Sequence, residues 1–392
     1  MDDDMDDHIY MDYAATTALR KEVFAEMEPY FSKNYGNPSS LYGFASESRN
    51  AIEISRDQVS KVLKCRRSEI FFTSGGTESN NMAIKGVALK GNNVGHMVTT
   101  ATEHHANLNS FIQLNDLGWD TTVVGVNPDG TVDPHLVEDA LRPETKLVSV
   151  MYVNNETGAV NDIEAISSII KNSSKSSAEN VLIHTDAVQA AGKLNLDVNK
   201  LGIDMLSISG HKIHAPKGIG ILYVKKGTDL SPLMTGGGQE RSLRSGTENV
   251  PSIVGLGVAI TLAERERLSQ YSTMVGLQKK LIHGVKKIAP EGRLNGDFNS
   301  KVPWIVNFSF NGIQGEPLIL GLDFKGILAS SGSACSSASV EPSHVLMAMG
   351  LSRDEAVGSV RFSMGQETTQ NDVDRTIEAL GEVLNQLGSM ST

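Results

Sequence analysis

The sequence contains little cysteine and little basic charge, and each shortage excludes a class of protein. Its 392 residues include two cysteines, Cys65 and Cys335, which lie far apart and form no CxxC pair. This excludes a scaffold built on disulfide bonds and a cysteine-rich zinc site. The 35 lysines and arginines are outnumbered by 46 acidic residues, which gives a formal net charge of -11. Nucleic-acid binding needs a basic stripe, so we expect no direct nucleic-acid partner.

Long apolar runs are also lacking. The longest apolar stretch, near residues 253–263, is interrupted by glycine and is too short to span a bilayer. The chain begins with acidic residues, whereas a signal or transit peptide would be basic and then apolar. We therefore expect a cytoplasmic protein with no membrane association.

The chain does contain a regular alternation of short apolar strands and amphipathic helices. Strands are predicted near residues 70–72, 96–100, 121–126, 146–153, 181–184, 205–208 and 218–224. This alternation indicates a largely parallel sheet with helices packed on it. A helix is predicted over 250–268, and the remainder changes to an α+β pattern. Because 392 residues exceed the ~100–200 of one typical domain, we expect two domains.

Lys212 lies where such a sheet would bind a ligand. It follows the apolar strand 205–208 and the residues Ser209-Gly210-His211, at the carboxyl end of that strand. Most lysines are solvated surface residues, and the stretch by itself leaves that interpretation open. The alternative is an amine kept for covalent chemistry with a carbonyl compound or with pyridoxal phosphate. Partners elsewhere in the chain decide between the two.

Pyridoxal phosphate needs a lysine, a carboxylate for its pyridine nitrogen and a site for its phosphate. Asp186, at the end of another predicted strand, supplies the carboxylate. The turn Ser74-Gly75-Gly76-Thr77 precedes a helix predicted from Glu78, and amides at a helix N-terminus suit a phosphate. Alone, such a turn is more often an ordinary strand-to-helix connection. Other predicted strand ends add polar residues that could contact the same cofactor: His104, Asn155, Gln189, Ser209 and His211.

A series of motifs makes these residues recognisable. They are YMDYAATT (10–17), GNPSS (36–40), FTSGGTESNN (72–81), TEHH (102–105), VNNETG (153–158), HTDAVQ (184–189), SGHKIHAPKGIG (209–220), GGGQERSLRSGT (236–247), SSGSACSSASVEPSHVL (330–346) and VRFSMG (360–365). Together they extend over nearly the whole chain. In these motifs and their order, the chain resembles the NifS/IscS-type cysteine desulfurases of the class V, fold-type I pyridoxal-phosphate enzymes.

The resemblance implies an α/β fold of the fold-type I PLP-transferase kind. Its large domain, residues 16–258, would bind the cofactor on a mostly parallel seven-stranded sheet flanked by helices. A smaller α+β domain, residues 1–15 and 259–392, would carry a mobile loop around Cys335. The resemblance also implies a homodimer.

The resemblance further assigns a role to each candidate residue. Lys212 would be the Schiff-base lysine, Asp186 would bond the pyridine nitrogen, and His104 would stack on the ring and move protons. The resemblance gives ring-oxygen binding to Gln189, which the residues by themselves also allow for Asn155, and binding of the substrate carboxylate region to Asn155 and Arg361. Phosphate binding falls to Gly76, Thr77, Ser209, His211 and the partner subunit's Thr247. The planar guanidinium of Arg361 suits a two-point contact with a carboxylate. Cys335 would accept the substrate's sulfur.

The surroundings of Cys335 support that role independently. It lies in SSGSACSSAS, residues 330–339, whose small side chains cannot pack a core and predict an exposed, mobile loop. The implied activity is removal of sulfur from L-cysteine, giving L-alanine and a persulfide on Cys335. The sulfur would then pass to an acceptor, either an iron–sulfur scaffold of the IscU or NifU kind or a thiolation protein. The short stretch after the last predicted helix leaves the choice of acceptor open.

Other functions are compatible with parts of the sequence. A thiol hydrolase using Cys335 and His344 would leave Lys212 and the phosphate turn unexplained. Within the family, a selenocysteine lyase or another class V aminotransferase-like enzyme is the alternative, and the SGSACSSAS loop argues for desulfuration. A metal hydrolase lacks an HExxH helix, although several candidate ligands exist: His104, His105, His211, His214 and Asp186.

Overall fold

The computed structural model describes residues 8–90, 94–175, 181–331 and 341–390. Its strands are β1 (Ile9–Tyr10), β2 (Ile70–Thr73), β3 (His96–Thr100), β4 (Asp120–Val124), β5 (Thr145–Ser149), β6 (Leu182–Asp186), β7 (Met205–Ser209), β8 (Gly220–Val224), β9 (Arg293–Asn295), β10 (Ile305–Ser309), β11 (Ile327–Leu328) and β12 (Ser359–Ser363). Seven of them form the large sheet, in the order β2-β8-β7-β6-β5-β3-β4. Adjacent strands of this sheet run parallel to each other, except that β8 runs antiparallel to both of its neighbours, β2 and β7.

Helices pack on both faces of this sheet. The helices of the described chain are α1 (Lys21–Met27), α2 (Pro29–Ser32), α3 (Ser46–Leu63), α4 (Gly76–Ala88), α5 (His105–Asp116), α6 (Pro134–Asp139), α7 (Ile163–Asn172), α8 (Val198–Leu201), α9 (Val250–Ile288), α10 (Gly315–Phe324), α11 (His344–Ala348), α12 (Arg353–Val357) and α13 (Gln370–Met390). Of these, α10, α12 and α13 pack instead with the smaller sheets or with other helices. Among the described residues, none of these helices combines the length and apolarity needed to cross a membrane.

Two buried clusters explain why the central strands are apolar throughout. On one face, α4 and α5 contribute Met82 and Phe111 to a cluster that includes Leu147 of β5. On the other face, Ile52 of α3 and Ile166 of α7 belong to a larger cluster. A strand buried on both faces needs apolar side chains in both directions, so its sequence shows a continuous apolar run. The predicted α/β fold with a mostly parallel seven-stranded sheet is confirmed.

The predicted end of the helix over 250–268 is wrong. α9 continues without interruption to Ile288. Met274, Leu277, Leu281 and Val285 are buried at intervals of three and four residues, which extends one apolar face over three further turns. The polar stretch around 264–273 interrupts the pattern in the sequence but not the helix.

A smaller antiparallel sheet, in the order β12-β10-β9, lies beside the large one. The amino-terminal segment pairs with β11 in a separate two-stranded sheet, where Ile9 lies opposite Ile327. It contacts the three-stranded sheet next, because the amide of Ser363 in β12 donates to the carbonyl of Met11. This segment then leads to Ala14 and Ala15, which reach the carboxyl edge of the large sheet. The site is therefore built from both sheets.

Candidate active site

One cavity of about 360 Å³ opens at the carboxyl ends of the parallel strands. It is lined by ten of the residues that the sequence predicted for the site: Gly76, Thr77, His104, Asn155, Asp186, Gln189, Ser209, His211, Lys212 and Arg361. Parallel strands end at one edge of a sheet, which is why residues so distant in sequence meet here. Thr247 is exposed and is not among the lining residues of this chain. Cys335 lies outside the described residues.

Lys212 ends a short turn, Gly210–Lys212, directly after β7. Its amine donates hydrogen bonds to the carbonyls of Ala14 and Ala15, at 2.5 and 2.6 Å. The amino-terminal segment therefore forms the wall against which this amine rests.

Asp186 ends β6 and is almost completely buried. One carboxylate oxygen accepts from the side-chain amide of Asn80 at 2.6 Å, and the other accepts from the amide of Val188 at 2.9 Å. Both contacts fix the position of the carboxylate. A buried, fixed carboxylate suits a cationic ring nitrogen.

The predicted phosphate turn is shorter than expected, because α4 begins at Gly76 rather than at Glu78. The amides of Gly76 and Thr77 thus belong to the first helical turn, where they have no acceptor inside the helix. Val188 and Ser209 lie so close to Gly76 that they leave no room for a side chain. A Cβ at Gly76 would lie 2.7 Å from Cγ2 of Val188 and 3.3 Å from Cβ of Ser209. Gly220, the first residue of β8, packs directly against the backbone of this turn. A Cβ at Gly220 would lie 2.6 Å from the carbonyl carbon of Gly75.

Two histidines in the cavity are held neutral. Burial lowers the pKa of His211 to about 4, and the charge of Lys212 adds to this effect. Burial also lowers the pKa of His104, against the opposing influence of Asp186. His104 caps α5, and its Nδ1 accepts from the amide of Ala106 at 3.1 Å. Since Nδ1 accepts, the proton of the neutral His104 ring is on Nε2.

Arg361, on β12, connects the small sheet to the cavity. Its guanidinium donates to the carboxylate of Asp12 at 2.7 Å and to the carbonyl of Asn155 at 2.9 Å. Its Nε is buried, and within the described residues it has no hydrogen-bond partner. A buried donor without an acceptor is costly, so the surroundings of this atom depart from the usual pairing of buried polar groups.

The chain on either side of Cys335 is anchored beside this cavity. Before it, the amide of Arg361 donates to the carbonyl of Ser330 at 2.6 Å. After it, the hydroxyl of Ser343 donates to the carboxylate of Glu156 at 2.5 Å. Burial raises the pKa of Glu156 to about 7. Cys65 is remote from these contacts, and burial raises the pKa of its thiol to about 12.

The glycine-rich segment that carries Thr247 is fixed at one end by a buried ion pair. Arg56 on α3 contacts Glu240 at 2.8 Å, and the same carboxylate accepts from the amide of Phe72 at 2.9 Å. Glu240, Arg241 and Ser242 have φ values of 43°, 55° and 66°. Three successive non-glycine residues in the left-handed region are unusual, and they persist only when the surroundings impose them.

The candidate metal ligands do not form a cluster. Among the described residues, no group of three or more histidine, cysteine, aspartate and glutamate side chains has the geometry to hold a metal ion. The Nε2 of His344, the histidine of the thiol-hydrolase alternative, lies 2.9 Å from the carbonyl of Glu103.

Asn80 is a site residue that motif reasoning missed. It lines the cavity, its Nδ2 holds Asp186, and its buried Oδ1 has no partner within the described chain. One signal was available, because Ser79 and Asn80 are polar residues on the otherwise apolar, buried face of α4. A polar side chain at such a position needs a partner in the interior.

Comparisons of sequence and of fold show which known proteins the chain is similar to. The family described as Aminotransferase class-V matches residues 9–376. A cysteine desulfurase IscS of Clostridium botulinum is 45% identical over 390 residues, which are 99% of this chain and 97% of that protein. A solved structure described as a NifS-like protein has a TM-score of 0.91 at 36% identity, covering 97% of this chain and 100% of that one. Another, described as SspA in complex with cysteine, has a TM-score of 0.78 at 37% identity, covering 91% of this chain and 98% of that one.

Proposed function

The chain belongs to the class V aminotransferase family, and we propose that it is a cysteine desulfurase that uses pyridoxal phosphate. The observation that carries the proposal is one cavity lined by Lys212, Asp186 and Arg361. The first two suit the cofactor, and the third suits the carboxylate of an amino-acid substrate.

The lining residues fit pyridoxal phosphate. Asp186 presents a buried carboxylate for the pyridine nitrogen, and the first turn of α4 presents amides for the phosphate. Gly76 leaves room there that a side chain would fill. When bound, the cofactor supplies an electron sink for bond changes at the substrate's Cα and Cβ.

The remaining chemistry belongs to side chains of this protein. Arg361 binds and orients the carboxylate of L-cysteine. Lys212, on the Ala14 side of the cavity, takes the Cα proton at Nζ. His104, neutral with its proton on Nε2, can exchange that proton with the reacting groups.

Cys335 is the sulfur acceptor in this proposal. Its thiolate attacks the substrate's sulfur, so that an S–S bond forms while the bond from sulfur to Cβ breaks. The electron pair of the broken bond stays with the carbon fragment, which leaves as L-alanine after protonation. The sulfur remains on Cys335 as a persulfide. The anchoring of Ser330 to Arg361 supports the assignment, because the chain enters this segment beside the carboxylate-binding residue.

The two cysteines provide the test. A Cys335→Ala variant should keep the visible absorbance of the bound cofactor and lose sulfide release from L-cysteine. Cys65→Ala is the matched control and should keep both, because the Cys65 thiol remains protonated at neutral pH. Normal turnover by the Cys335 variant would contradict the role of Cys335. Absence of cofactor absorbance from the unaltered protein after incubation with pyridoxal phosphate would contradict the whole proposal.

We also propose that the protein is a homodimer in which Thr247 reaches the cofactor phosphate of the partner subunit. Two observations support this. Thr247 is exposed and does not line its own chain's cavity. The region 19–54 exposes several large apolar side chains: Leu19, Phe24, Phe31, Tyr35, Leu41, Tyr42, Phe44 and Ile54. Sedimentation velocity distinguishes dimer from monomer, and mixing Thr247→Ala with Lys212→Ala subunits tests whether sites are shared.

The division into two domains is part of the same proposal. The large domain comprises residues 16–258, and the small domain comprises residues 1–15 and 259–392. The division is supported by the sheets, because the seven-stranded sheet lies within 16–258 and the two- and three-stranded sheets lie within 1–15 and 259–392. The long helix α9 extends from the first region into the second. The acceptor of the sulfur is proposed as an iron–sulfur scaffold or a thiolation protein, and the site of action as the cytoplasm. Incubating the persulfidated enzyme with each acceptor in turn, and measuring which one gains sulfur, decides the pathway.

A further inference from the structure

A second, smaller cavity lies behind the wall of the first. It has a volume of about 80 Å³. Ala14, Gln189 and Lys212 line both cavities and therefore form the wall between them. Lys193 lines the small cavity but not the large one, so it lies on the far side of this wall from the cofactor space. None of the roles assigned above uses this lysine.

Lys193 is bonded to the residue proposed to hold the cofactor's ring oxygen. Its amine lies 3.0 Å from the carbonyl oxygen of Gln189 and 3.2 Å from the side-chain Oε1 of the same residue. Two successive turns after Ala187 bring Lys193 close to Gln189. In these turns the amide of Ala191 donates to the carbonyl of Ala187, and the amide of Lys193 donates to the carbonyl of Ala190.

The other end of the Gln189 amide faces the shared wall. Its Nε2 donates to the carbonyl of Ala14 at 2.8 Å, and that carbonyl also accepts from the amine of Lys212. A glutamine amide has one accepting end and one donating end, and it can rotate by half a turn. An amine that donates to Oε1 opposes that rotation and keeps the N–H groups on the side of the cofactor.

We propose that Lys193 is a positioning residue that fixes the side-chain amide of Gln189 with its donors towards the ring oxygen of the cofactor. The inference rests on the proposed function, in which Gln189 contacts that oxygen. Lys193 does not touch the reacting atoms. It acts through Gln189 alone.

The charge of Lys193 does not decide the geometry. Burial, together with the neighbouring Lys212, lowers the pKa of Lys193 to about 7. Other titratable groups that line the same cavity are Tyr13, Arg20, His214 and Glu266. Both the charged and the neutral amine carry N–H groups, so the contact with Oε1 can persist on either side of neutrality.

The test uses the visible absorbance of the holoenzyme. A donor to the ring oxygen favours its ionised form, so Lys193→Met should move the pH midpoint of the absorbance change to higher pH. Its dissociation constant for pyridoxal phosphate should rise about tenfold, the effect of one hydrogen bond to a charged group. Lys200→Met on α8 is the matched control, because the Lys200 side chain is 65% exposed, and it should leave both quantities unchanged.

A double variant separates positioning from a direct effect of charge. In a Gln189→Leu background there is no amide to orient, so adding Lys193→Met should produce no further shift of the midpoint. An equal shift in both backgrounds would overturn the proposal, and so would a Lys193→Met enzyme with wild-type absorbance. Lys193→Arg keeps a donor and should lie closer to the wild type than to the methionine variant.

Misfolding of the variant and failure of the unaltered protein to bind pyridoxal phosphate are separate outcomes. If Lys193→Met does not fold, as judged by circular dichroism, Lys193→Ala serves in both backgrounds with the same expectations. If the unaltered protein gains no absorbance from pyridoxal phosphate, the proposed function fails and not the positioning role.

Discussion

The side-chain amide of Asn80 donates a 2.6 Å hydrogen bond to Oδ2 of Asp186, and both residues are buried. α4 thus contributes to the cavity twice, since Gly76 and Thr77 of its first turn line it and Asn80 of its second turn holds the Asp186 carboxylate.

Asn80→Ala should weaken cofactor binding without unfolding the protein. A hydrogen bond to a charged group contributes about 1.5–3 kcal/mol, so the dissociation constant for pyridoxal phosphate should rise roughly ten- to hundredfold. Reconstitution of the apoenzyme, followed by absorbance, measures this. Asn172→Ala on the exposed end of α7 also removes one amide hydrogen bond and should leave the constant unchanged. Equal constants for the two variants would contradict a role for Asn80.

Gly76→Ala should also lower the affinity for pyridoxal phosphate, for a steric reason. The new Cβ would lie 2.7 Å from Cγ2 of Val188, which also lines the cavity and would have to move. Gly276→Ala within α9 is the control, since no atom lies within 4 Å of its added Cβ. Alanine there should raise the free energy of unfolding by up to about 1 kcal/mol, because glycine is a poor helix former. Unchanged cofactor affinity in Gly76→Ala would mean that the turn is not the phosphate site.

Arg56→Met should destabilise the fold strongly. It leaves Glu240 buried without its partner, and breaking a buried pair in this way costs about 3–5 kcal/mol. Lys61→Met, which removes the solvent-screened pair with Asp57, should destabilise the fold far less. Thermal unfolding of the two variants side by side makes the comparison. Similar melting temperatures would show that the ion pair does not hold the glycine-rich segment.

His184 should make the protein sensitive to acid. Its ring is buried between the hydroxyls of Ser149 and Ser207, at 2.8 and 2.9 Å, and burial lowers the pKa of His184 to about 3. Below the unfolded pKa of about 6.5, the unfolded chain binds a proton that the folded chain does not. Stability is therefore complete above that pH and falls by about 1.4 kcal/mol per unit as the pH drops towards 3.

His184→Gln should remove this dependence. Between pH 7 and pH 5 the wild type should lose about 2 kcal/mol more than the variant, measured as the shift of a urea midpoint. His135→Gln alters an exposed ring and should follow the wild type. Parallel curves for wild type and His184→Gln would contradict the assignment.

The convergence of Lys212, Asp186 and His104 could be predicted from sequence because each follows an apolar strand. Parallel strands end at one edge, so residues after them share a site whatever their separation in the chain. Asn80 escaped this rule, since it lies one turn inside a helix. Its role follows from its position relative to Asp186, and no local pattern encodes that distance.

The backbone of Glu240–Ser242 could not be predicted either. Local preference argues against left-handed φ values at three residues with side chains. Arg56, 184 positions earlier, supplies the ion pair that holds Glu240, and so the conformation depends on a tertiary contact. The continuation of α9 past residue 268 has a similar origin, because packing against its buried face overrides a polar interval.

Because β8 runs antiparallel to its neighbours, it limits which residues can replace Gly218 and Gly220 in an active variant. Its first residue, rather than its last, lies at the edge where the phosphate turn sits. A Cβ at Gly220 would lie 2.6 and 2.7 Å from backbone atoms of Gly75 and 2.8 Å from the carbonyl oxygen of Ile208, and no rotamer change relieves a backbone clash. Gly218, two positions earlier, has a φ of 80° but open space around it. Selection for activity should therefore return glycine alone at position 220, and asparagine or aspartate beside glycine at 218.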